Sequence, residues 1–453
     1  MFCFPLYLYL ILHFMVIRQI NSLFAQMDFN SIVTTPVFAR EENMTLDFKG
    51  AALRLQGVVT RTPLQLNPRL SRKYQCQVYL KREDLQVVRS YKLRGAYNMM
   101  SRLSAVALAK GVVCASAGNH AQGFAYCCKQ LKTRGVIFMP VITPAQKIRQ
   151  TKMFGEDFIE VRLVGDTFDD CSATARKFTS ESGMTFIPPF DDYRIIEGQG
   201  TVGVEIMEEL DQADYIFIPI GGGGLSAGVG TYYREWSPLT KLIGVEPEGA
   251  PSMKAALAAA RPVILEDIDR FVDGAAVKRV GDLTFSICKD ILDDIYLAPE
   301  GKVCTTILNL YNEEAIVVEP AGALSITALD AYAEDIRGKT VVCIVSGGNN
   351  DIDRMQEIKE RSLQYENLKH YFLVDFAQRP GALKDFVNQV LGPTDDITRF
   401  EYMQKTNKEN GPALIGIELQ NRDDYTVLVQ KLQHYHIKYT ELNKNDRLFG
   451  YLV

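Results

Sequence analysis

Short apolar runs alternate with segments of helical periodicity from about Lys73 to Asn350. The runs predict strands at 112–115, 136–139, 158–163, 215–220, 242–245 and 341–345, with helices at 120–132, 145–154 and 168–179. Strands that are apolar throughout and separated by helices are typical of parallel sheets covered on both faces. The pattern therefore predicts an α/β protein whose ligands bind beyond the carboxyl ends of its strands.

The pattern changes within the charged stretch 356–369, where we place a domain boundary. Beyond it the predicted strands are 370–376, 397–404, 413–420 and 438–442, and the predicted helices are 381–391 and 425–434. The order βαββαβ is typical of a ferredoxin-like α+β domain. We therefore expect one domain at 45–355 and a second at 366–453.

The N-terminal residues 2–17 are almost wholly apolar and are followed by Arg18. A signal peptide carries positive charge before its apolar region, and this chain has none there. The segment is also short for a membrane span. We interpret 1–26 as an extension that results from a gene start set too early, with translation beginning at Met27. The sequence Phe24-Ala25-Gln26 keeps a cleaved export signal as the alternative.

Composition excludes several function classes. The formal net charge is -5 and no basic run stands out, so we expect neither a nucleic acid nor a membrane as partner. The nine cysteines contain no C-x-x-C spacing, and the five histidines form no cluster with them, so we expect no metal site. Scattered thiols within apolar runs indicate a reduced, cytoplasmic protein.

A first candidate turn follows the predicted strand 112–115 and opens a helix. It contains Ser116, Ala117, Gly118, Asn119 and His120. Exposed backbone N–H groups at such a position bind anions, and a substrate carboxylate is one candidate. The alternative is a helix cap made by the side chain of Ser116 or Asn119. Gly118 and Gly123 permit a close backbone approach, which favours the binding interpretation.

A second candidate turn follows the predicted strand 215–220. It consists of Gly221, Gly222, Gly223, Gly224 and Leu225. Successive glycines between a strand and a helix form a nest of N–H groups that fits a phosphate. The spacing Gly222-x-Gly224-x-x-Ala227, with Glu246 about twenty residues further on, also matches a dinucleotide fingerprint. On this motif alone, an NAD-dependent dehydrogenase is a fair alternative.

Two single residues complete the candidate chemistry. Lys92 stands just before Gly95 and Ala96, which open a predicted helix. A desolvated lysine at a helix N-terminus has a pKa below its ordinary value of about 10.4, and such lysines form Schiff bases; the alternative is a solvated lysine. Ser346, at the end of the last apolar strand, is either a simple turn residue or a neutral hydroxyl offered to a ring nitrogen.

These motifs, S-Y-K-L-R-G-A, S-A-G-N-H-A-Q-G, G-G-G-G-L and S-G-G-N, occur in the order found in the threonine/serine dehydratases. The chain resembles this family of pyridoxal 5'-phosphate (PLP) enzymes, which has the tryptophan synthase β-subunit fold. The resemblance implies that Lys92 forms the Schiff base with PLP and that Asn119 binds the phenolic oxygen. It further implies that 221–225 hold the phosphate, that Ser346 faces the pyridine nitrogen, and that 116–120 hold the substrate carboxylate.

The tail narrows the resemblance. The stretches 375–383, 395–402 and 411–414 are similar to the short biosynthetic threonine deaminases, which carry one ACT-like regulatory domain. This implies conversion of L-threonine to 2-oxobutanoate and ammonia in isoleucine biosynthesis, with isoleucine as the effector and a homotetramer as the assembly. Serine as a substrate, valine as an effector and a ligand-free dimerisation module stay open.

Two departures bear on related activities. Serine racemases carry a second serine where Ala117 stands, so racemisation is not expected. Some relatives hold a divalent cation through an acid at the position of Glu246 and a later aspartate, which here looks like Ser252; a monovalent ion stays open. A third class of function, an amino-acid sensor without catalysis, is disfavoured by the intact Lys92.

Overall fold

The structure is a computed structural model that describes residues 46–443. The interpretation of 1–26 as an extension therefore lies outside the described residues. Within 46–443, every helix is too short or too polar to cross a lipid bilayer.

Strands and helices alternate through most of the described chain. The strands are β1 (Leu64–Leu66), β2 (Gln77–Arg82), β3 (Val112–Ala115), β4 (Gly135–Met139), β5 (Ile159–Leu163), β6 (Thr185–Phe186), β7 (Tyr215–Pro219), β8 (Lys241–Pro247), β9 (Asp294–Ala298), β10 (Thr340–Val345), β11 (Lys369–Ala377), β12 (Asp396–Tyr402), β13 (Asn410–Glu418) and β14 (Tyr439–Glu441). The helices are α1 (Phe48–Leu55), α2 (Pro68–Tyr74), α3 (Lys92–Met100), α4 (Ala105–Lys110), α5 (Asn119–Leu131), α6 (Ala145–Gly155), α7 (Phe168–Ser182), α8 (Tyr193–Glu209), α9 (Gly224–Trp236), α10 (Ser252–Ala258), α11 (Asp282–Ile291), α12 (Glu300–Glu314), α13 (Pro320–Thr327), α14 (Met355–Tyr365), α15 (Ala382–Val390) and α16 (Asp424–His434).

Two sheets build the first part of the chain. One has the order β5-β4-β3-β6 and is parallel throughout. The other has the order β1-β2-β10-β7-β8-β9 and is parallel except for the antiparallel edge strand β1. The predicted parallel α/β architecture is confirmed. The strands are apolar because helices cover both faces of each sheet, and burial of that apolar surface stabilises the arrangement.

The third sheet, β12-β13-β11-β14, is antiparallel in every pairing. With α15 and α16 it has the order βαββαβ, so the predicted ferredoxin-like plan is confirmed. The helices cover one face, where the core contains Phe372, Val374, Ile415 and Ile417. The charged stretch where we placed the domain boundary forms α14, which packs against α12.

Side-chain caps fix several helix starts near strand ends. Thr167 accepts a hydrogen bond from Asp170 N–H at the start of α7, and Asp192 accepts one from Arg194 N–H at the start of α8. Each bond satisfies one of the N–H groups that a helix leaves unpaired at its beginning. By contrast, α5 and α9 begin without a side-chain cap. Both uncapped helices begin in the glycine-containing turns that the sequence singles out.

Candidate active site

Lys92 is the first residue of α3. Its Nζ donates a hydrogen bond to the carbonyl oxygen of Pro189 at 3.2 Å and lies 5.3 Å from the centre of the Tyr91 ring. The side chain keeps some accessible surface, but protein atoms surround its nitrogen. This desolvation lowers the pKa of Lys92 to about 8, while the charge of Glu319 opposes the shift. About a tenth of the amine is therefore neutral at pH 7, and this fraction is able to act as a nucleophile or base.

A buried charge network anchors α3. Arg94, which is 1% exposed, donates to Glu83 at 2.8 Å and to Glu205 at 2.7 Å. Lys81 lies 2.6 Å from Glu205 and 3.9 Å from Glu209, so each cation is paired with a carboxylate. A Cβ on Gly198 of α8 would lie 2.4 Å from the Arg94 carbonyl oxygen, so only glycine allows this helix contact. These contacts fix the start of α3 and hence the backbone of Lys92.

The turn before α5 places its backbone, rather than its side-chain oxygens, at the helix start. Ser116 Oγ accepts a hydrogen bond from Gly118 N–H at 3.2 Å, and no side chain caps α5, so the helix-cap interpretation is wrong. Ala117 is partly exposed in this turn. The His120 ring is buried and contacts the Ile187 carbonyl oxygen at 3.0 Å. Burial, helped by the charge of Lys92, lowers the pKa of His120 to about 4, so the ring is neutral.

Asn119 is held by side chains from two other segments. Its Nδ2 donates to Glu319 Oε1 at 2.6 Å, and its Oδ1 accepts from Asn349 Nδ2 at 2.8 Å. The amide is therefore fixed in orientation within the turn that follows β3.

The glycine turn between β7 and α9 is packed so tightly that side chains would not fit. A Cβ on Gly222 would lie 2.2 Å from the Phe190 ring, and one on Gly224 would lie 2.4 Å from Gln199 Oε1. Thr284 Oγ donates to the Gly222 carbonyl oxygen at 2.6 Å, and Ser226 Oγ donates to that of Gly223 at 3.0 Å. With its carbonyl oxygens occupied, the turn offers backbone N–H groups to an anion.

The two remaining members of the glycine turn are Gly221 and Leu225. A Cβ on Gly221 would meet the Ala275 backbone at 3.0 Å, and the Leu225 side chain is buried. The stretch 188–192 contributes Pro189 beside Lys92 and Phe190 beside Gly222.

Ser346 follows β10 and is 3% exposed. Its Oγ donates to the Ala321 carbonyl oxygen at 3.2 Å, and its own carbonyl accepts from Tyr91 N–H at 3.3 Å. Ser90 and Gly347 also form a β-bridge. These backbone contacts hold Ser346 beside the segment that carries Lys92, although the two residues lie far apart in sequence.

Sequence reasoning missed Glu319, which precedes α13 and is 5% exposed. Its carboxylate binds Asn119, and Lys92 interacts with it electrostatically. Burial, together with the charge of Asp273, raises the pKa of Glu319 to about 7. The only local signal is Glu-Pro before a helix, which indicates a helix start and nothing about an active site.

Glu246 decides against the dinucleotide interpretation. Its carboxylate accepts hydrogen bonds from the backbone N–H groups of Met253 at 2.7 Å and Lys254 at 2.9 Å, with Ser252 Oγ at 3.3 Å. The carboxylate is thus committed to the start of α10 and is fully buried, so a ribose cannot reach it. Within 46–443, no group of three or more potential ligand side chains is arranged to hold a metal ion.

The residues at this edge fit PLP. The glycine turn suits its phosphate, Asn119 is an oriented amide for its phenolic oxygen, and Ser346 is a neutral hydroxyl for its ring nitrogen. The buried Gln199 Oε1, which has no hydrogen-bond partner among residues 46–443, faces the glycine turn and leaves unmet polar capacity there. Lys92, whose lowered pKa increases the fraction of nucleophilic neutral amine, meets the requirement for covalent attachment.

Comparison with known proteins agrees with this geometry. The family described as pyridoxal-phosphate dependent enzyme matches residues 55–347, and the C-terminal regulatory domain of threonine dehydratase matches residues 360–452. The biosynthetic L-threonine dehydratase IlvA of Halalkalibacterium halodurans is 59% identical over 400 residues, which cover 88% of this chain and 96% of the relative. The protein of the same name from Bacillus subtilis is 57% identical, over 88% of this chain and 95% of the relative.

Among solved structures, the processed form of threonine deaminase isoform 2 from Solanum lycopersicum superposes with a TM-score of 0.66 at 40% identity. The match covers 71% of this chain and 94% of that one. Both domain matches and the length of the shared sequence lead to one conclusion: this chain belongs to the pyridoxal-phosphate dependent enzymes, in the family of the biosynthetic L-threonine dehydratases.

Proposed function

We propose that this chain is a threonine ammonia-lyase, which uses PLP to convert L-threonine to 2-oxobutanoate and ammonia in the first step of isoleucine biosynthesis. The observation that carries the proposal is Lys92, a lysine of lowered pKa that lies beside Pro189 and is joined through Tyr91 to Ser346. The identity of 59% to a named threonine dehydratase, over both domains, supports the same activity.

Each predicted residue receives a role. Lys92 Nζ would hold the cofactor covalently, Gly221, Gly222, Gly223, Gly224 and Leu225 would hold its phosphate, and Asn119 and Ser346 would hold its ring. Residues 116–120 at the start of α5 bind the substrate carboxylate through the backbone N–H groups that remain after Ser116 N–H donates to the Phe138 carbonyl oxygen and Gly118 N–H donates to Ser116 Oγ. His120 contributes through its backbone only, because its ring is committed to the Ile187 carbonyl.

The residues of the site then serve proton transfer. PLP supplies an electron sink for the elimination when it is bound. The neutral amine of Lys92 accepts the proton from the substrate Cα, since its pKa of about 8 lies close to the working pH. Ser346 is a hydroxyl rather than a carboxylate, so it would not stabilise a proton on the ring nitrogen of the bound cofactor, and this would favour prompt loss of the β-hydroxyl.

The atoms balance without a further reactant. The α-proton and the β-hydroxyl leave as water, the resulting enamine tautomerises to an imine as one proton leaves its nitrogen and one is added at Cβ, and a water molecule hydrolyses the imine to 2-oxobutanoate and ammonia. Serine, which lacks only the γ-methyl group, is the second candidate substrate.

We also propose that 45–355 is the catalytic domain and that 366–453 is a regulatory domain with isoleucine as its effector. The match of the C-terminal part to a threonine dehydratase regulatory domain supports the presence of an effector site. A homotetramer in the cytoplasm is the proposed assembly and location.

The first experiment records the visible absorbance of the purified protein, reduces it with borohydride and maps the modified lysine by peptide analysis. We expect a yellow protein that is labelled at Lys92. A colourless protein that cannot be reconstituted with PLP would falsify the central proposal.

A second measurement follows 2-oxobutanoate production from threonine, and pyruvate production from serine, each with and without isoleucine or valine. Threonine as the better substrate and inhibition by isoleucine are expected. Equal inhibition by valine would broaden the effector assignment, and activity on serine alone would replace the substrate.

A further inference from the structure

Helix α14 makes contacts in two directions. Towards the ferredoxin-like sheet, Glu360 accepts a hydrogen bond from the Tyr371 hydroxyl at 2.5 Å and lies 3.7 Å from Lys369 Nζ. Towards the catalytic domain, Ser362 pairs with Thr305 of α12 at 2.9 Å. A helix is stiff along its axis, so a displacement of Glu360 by the sheet also displaces the neighbouring residues of α14.

Arg361, which follows Glu360, contacts an aromatic ring of the catalytic domain. The guanidinium carbons of Arg361 and Arg354 lie 4.5 Å and 4.7 Å from the centre of the Phe271 ring, which is 4% exposed. Arg354 also donates to the Phe271 carbonyl oxygen at 2.6 Å. Two cations beside one buried ring form a clamp, because each guanidinium is attracted to the ring electrons.

Carboxylates on either side of the ring support this clamp. Arg361 lies 3.4 Å from Asp269, and Arg354 lies 3.4 Å from Asp273. Asp269 in turn accepts a hydrogen bond from Phe271 N–H at 2.8 Å. The arginines therefore hold the backbone of 269–273 as well as the ring.

The same segment continues into the active site. A Cβ on Gly221 would lie 3.0 Å from the Ala275 backbone, and one on Gly274 would lie 3.4 Å from Glu319 Oε1. The segment thus touches the proposed phosphate turn and the carboxylate that orients Asn119. Any movement of Phe271 by its clamp reaches both groups through a few residues of chain.

We propose that Arg354 and Arg361 are positioning residues that, by clamping Phe271, hold 269–275 against the glycine turn and Glu319, and that α14 carries the state of the regulatory sheet to the active site through this clamp. The inference rests on the proposed function, since it names how the proposed effector domain reaches that site. Tyr371 and Glu360 form the contact on the regulatory side.

The first arm of the test measures cofactor affinity, by absorbance titration of cofactor-free protein with PLP, and the KM for threonine. Arg361→Gln and Phe271→Leu should each weaken PLP binding and raise the KM about fivefold. The double variant should bind PLP no more weakly than the single variant with the larger loss, because both substitutions remove the same clamp. Lys359→Gln, on the exposed side of α14, is the matched control and should behave as wild type.

The second arm measures the isoleucine concentration that halves activity. Tyr371→Phe removes the hydroxyl bond to Glu360 and should raise that concentration about fivefold without changing the uninhibited rate. Arg361→Lys keeps the charge but loses the planar guanidinium. The isoleucine concentration that halves its activity should lie between the values for wild type and Arg361→Gln. Melting temperatures close to that of wild type check that the variants fold.

The outcomes separate the two proposals. Wild-type protein that makes no 2-oxobutanoate from threonine refutes the function, and active protein that ignores isoleucine refutes the effector; in both cases the PLP titrations still decide whether the clamp exists. Additive losses in the double variant, or unchanged PLP affinity in both single variants, overturn the clamp. Wild-type inhibition in Tyr371→Phe and Arg361→Gln overturns the coupling.

Discussion

Strands β10 and β11 are consecutive strands of the chain, but β10 is buried on both faces and β11 on one face only. In β10, Val341, Val342 and Cys343 are all fully buried, because helices cover both faces of the parallel sheet. In β11, Phe372 and Val374 are buried while Leu373 between them is 43% exposed, because helices cover one face only. Polar groups are excluded along the parallel strands and collect at their carboxyl ends, whereas the antiparallel sheet has a whole face available.

This difference explains where function could be recognised. The segments that follow β2, β3, β10 and β7 carry Lys92, Asn119, Ser346 and the glycines of 221–224. They belong to two parallel sheets whose carboxyl ends meet, as the hydrogen bond between Asn119 and Asn349 shows. The sequence motifs mark no comparable set of residues on the antiparallel sheet. Its family could be identified from sequence, but the residues that would hold an effector could not.

The largest expected effect tests whether the convergent edge is the catalytic site. Lys92→Ala should retain its fold and lose turnover by about 10⁴-fold, because both covalent attachment and the base are removed. Lys431→Ala in α16 is the matched control, since its Nζ also donates to a backbone carbonyl, that of Leu391 at 3.1 Å. The turnover of both variants is measured as the steady-state rate with threonine. Equal rates would mean that the edge that carries Lys92 is no more important for catalysis than the antiparallel sheet.

Local patterns predicted this fold because each strand or helix can be recognised from a window of about ten residues. The predicted strand 341–345 is Thr340–Val345, and the predicted helix 120–132 is Asn119–Leu131. Helix α8 was not predicted, since Gly198, Gly200 and Gly203 lower helix propensity and are retained for close helix packing instead. Glu319 was also missed, because its role depends on a partner that lies 200 positions away.

The second prediction concerns buried charge at the convergent edge. Glu319 takes up its proton at about pH 7 in the folded protein, above its ordinary pKa of 4.5, because burial disfavours the carboxylate. Between these values the folded state binds more protons than the unfolded chain, so the free energy of unfolding falls as pH rises, by about 3 kcal/mol for this group.

Glu319→Gln should therefore gain stability relative to wild type between pH 5 and pH 8, as measured by melting the cofactor-free proteins. Glu246→Gln is the control, since burial also raises the pKa of Glu246 to about 7. Both variants should show the stability change, but only Glu319→Gln should lower kcat/KM for threonine, by about tenfold. A pH-independent difference between Glu319→Gln and wild type would contradict the assignment of this group.

The third prediction compares two glycines that open helices in the left-handed conformation. Gly223 before α9 has φ +90° and Gly381 before α15 has φ +85°. Alanine pays about 1–2 kcal/mol of backbone strain at either position. A Cβ on Gly223 would also lie 2.8 Å from Met253 Cε and 3.0 Å from the Thr284 side chain, whereas the nearest atom to one on Gly381 is 4.0 Å away.

Gly223→Ala should therefore be about 2 kcal/mol less stable than Gly381→Ala and should bind PLP at least tenfold more weakly. Denaturation and PLP titration measure the two quantities. Equal losses in both variants would mean that the glycine turn is no more crowded than an ordinary helix start.

The smallest expected effect tests the two sheets directly, with neighbouring positions in each. Val341→Ala and Val342→Ala in β10 should each cost about 2 kcal/mol, because each deletion leaves a cavity under a covering helix. In β11, Val374→Ala should cost about the same, but Leu373→Ala only about 0.5 kcal/mol, because solvent already reaches that side chain. Denaturation of the four variants gives these values. A large loss of unfolding free energy in Leu373→Ala would mean that the open face of the regulatory sheet is covered in solution. The same variant would then identify that face as an interface between subunits.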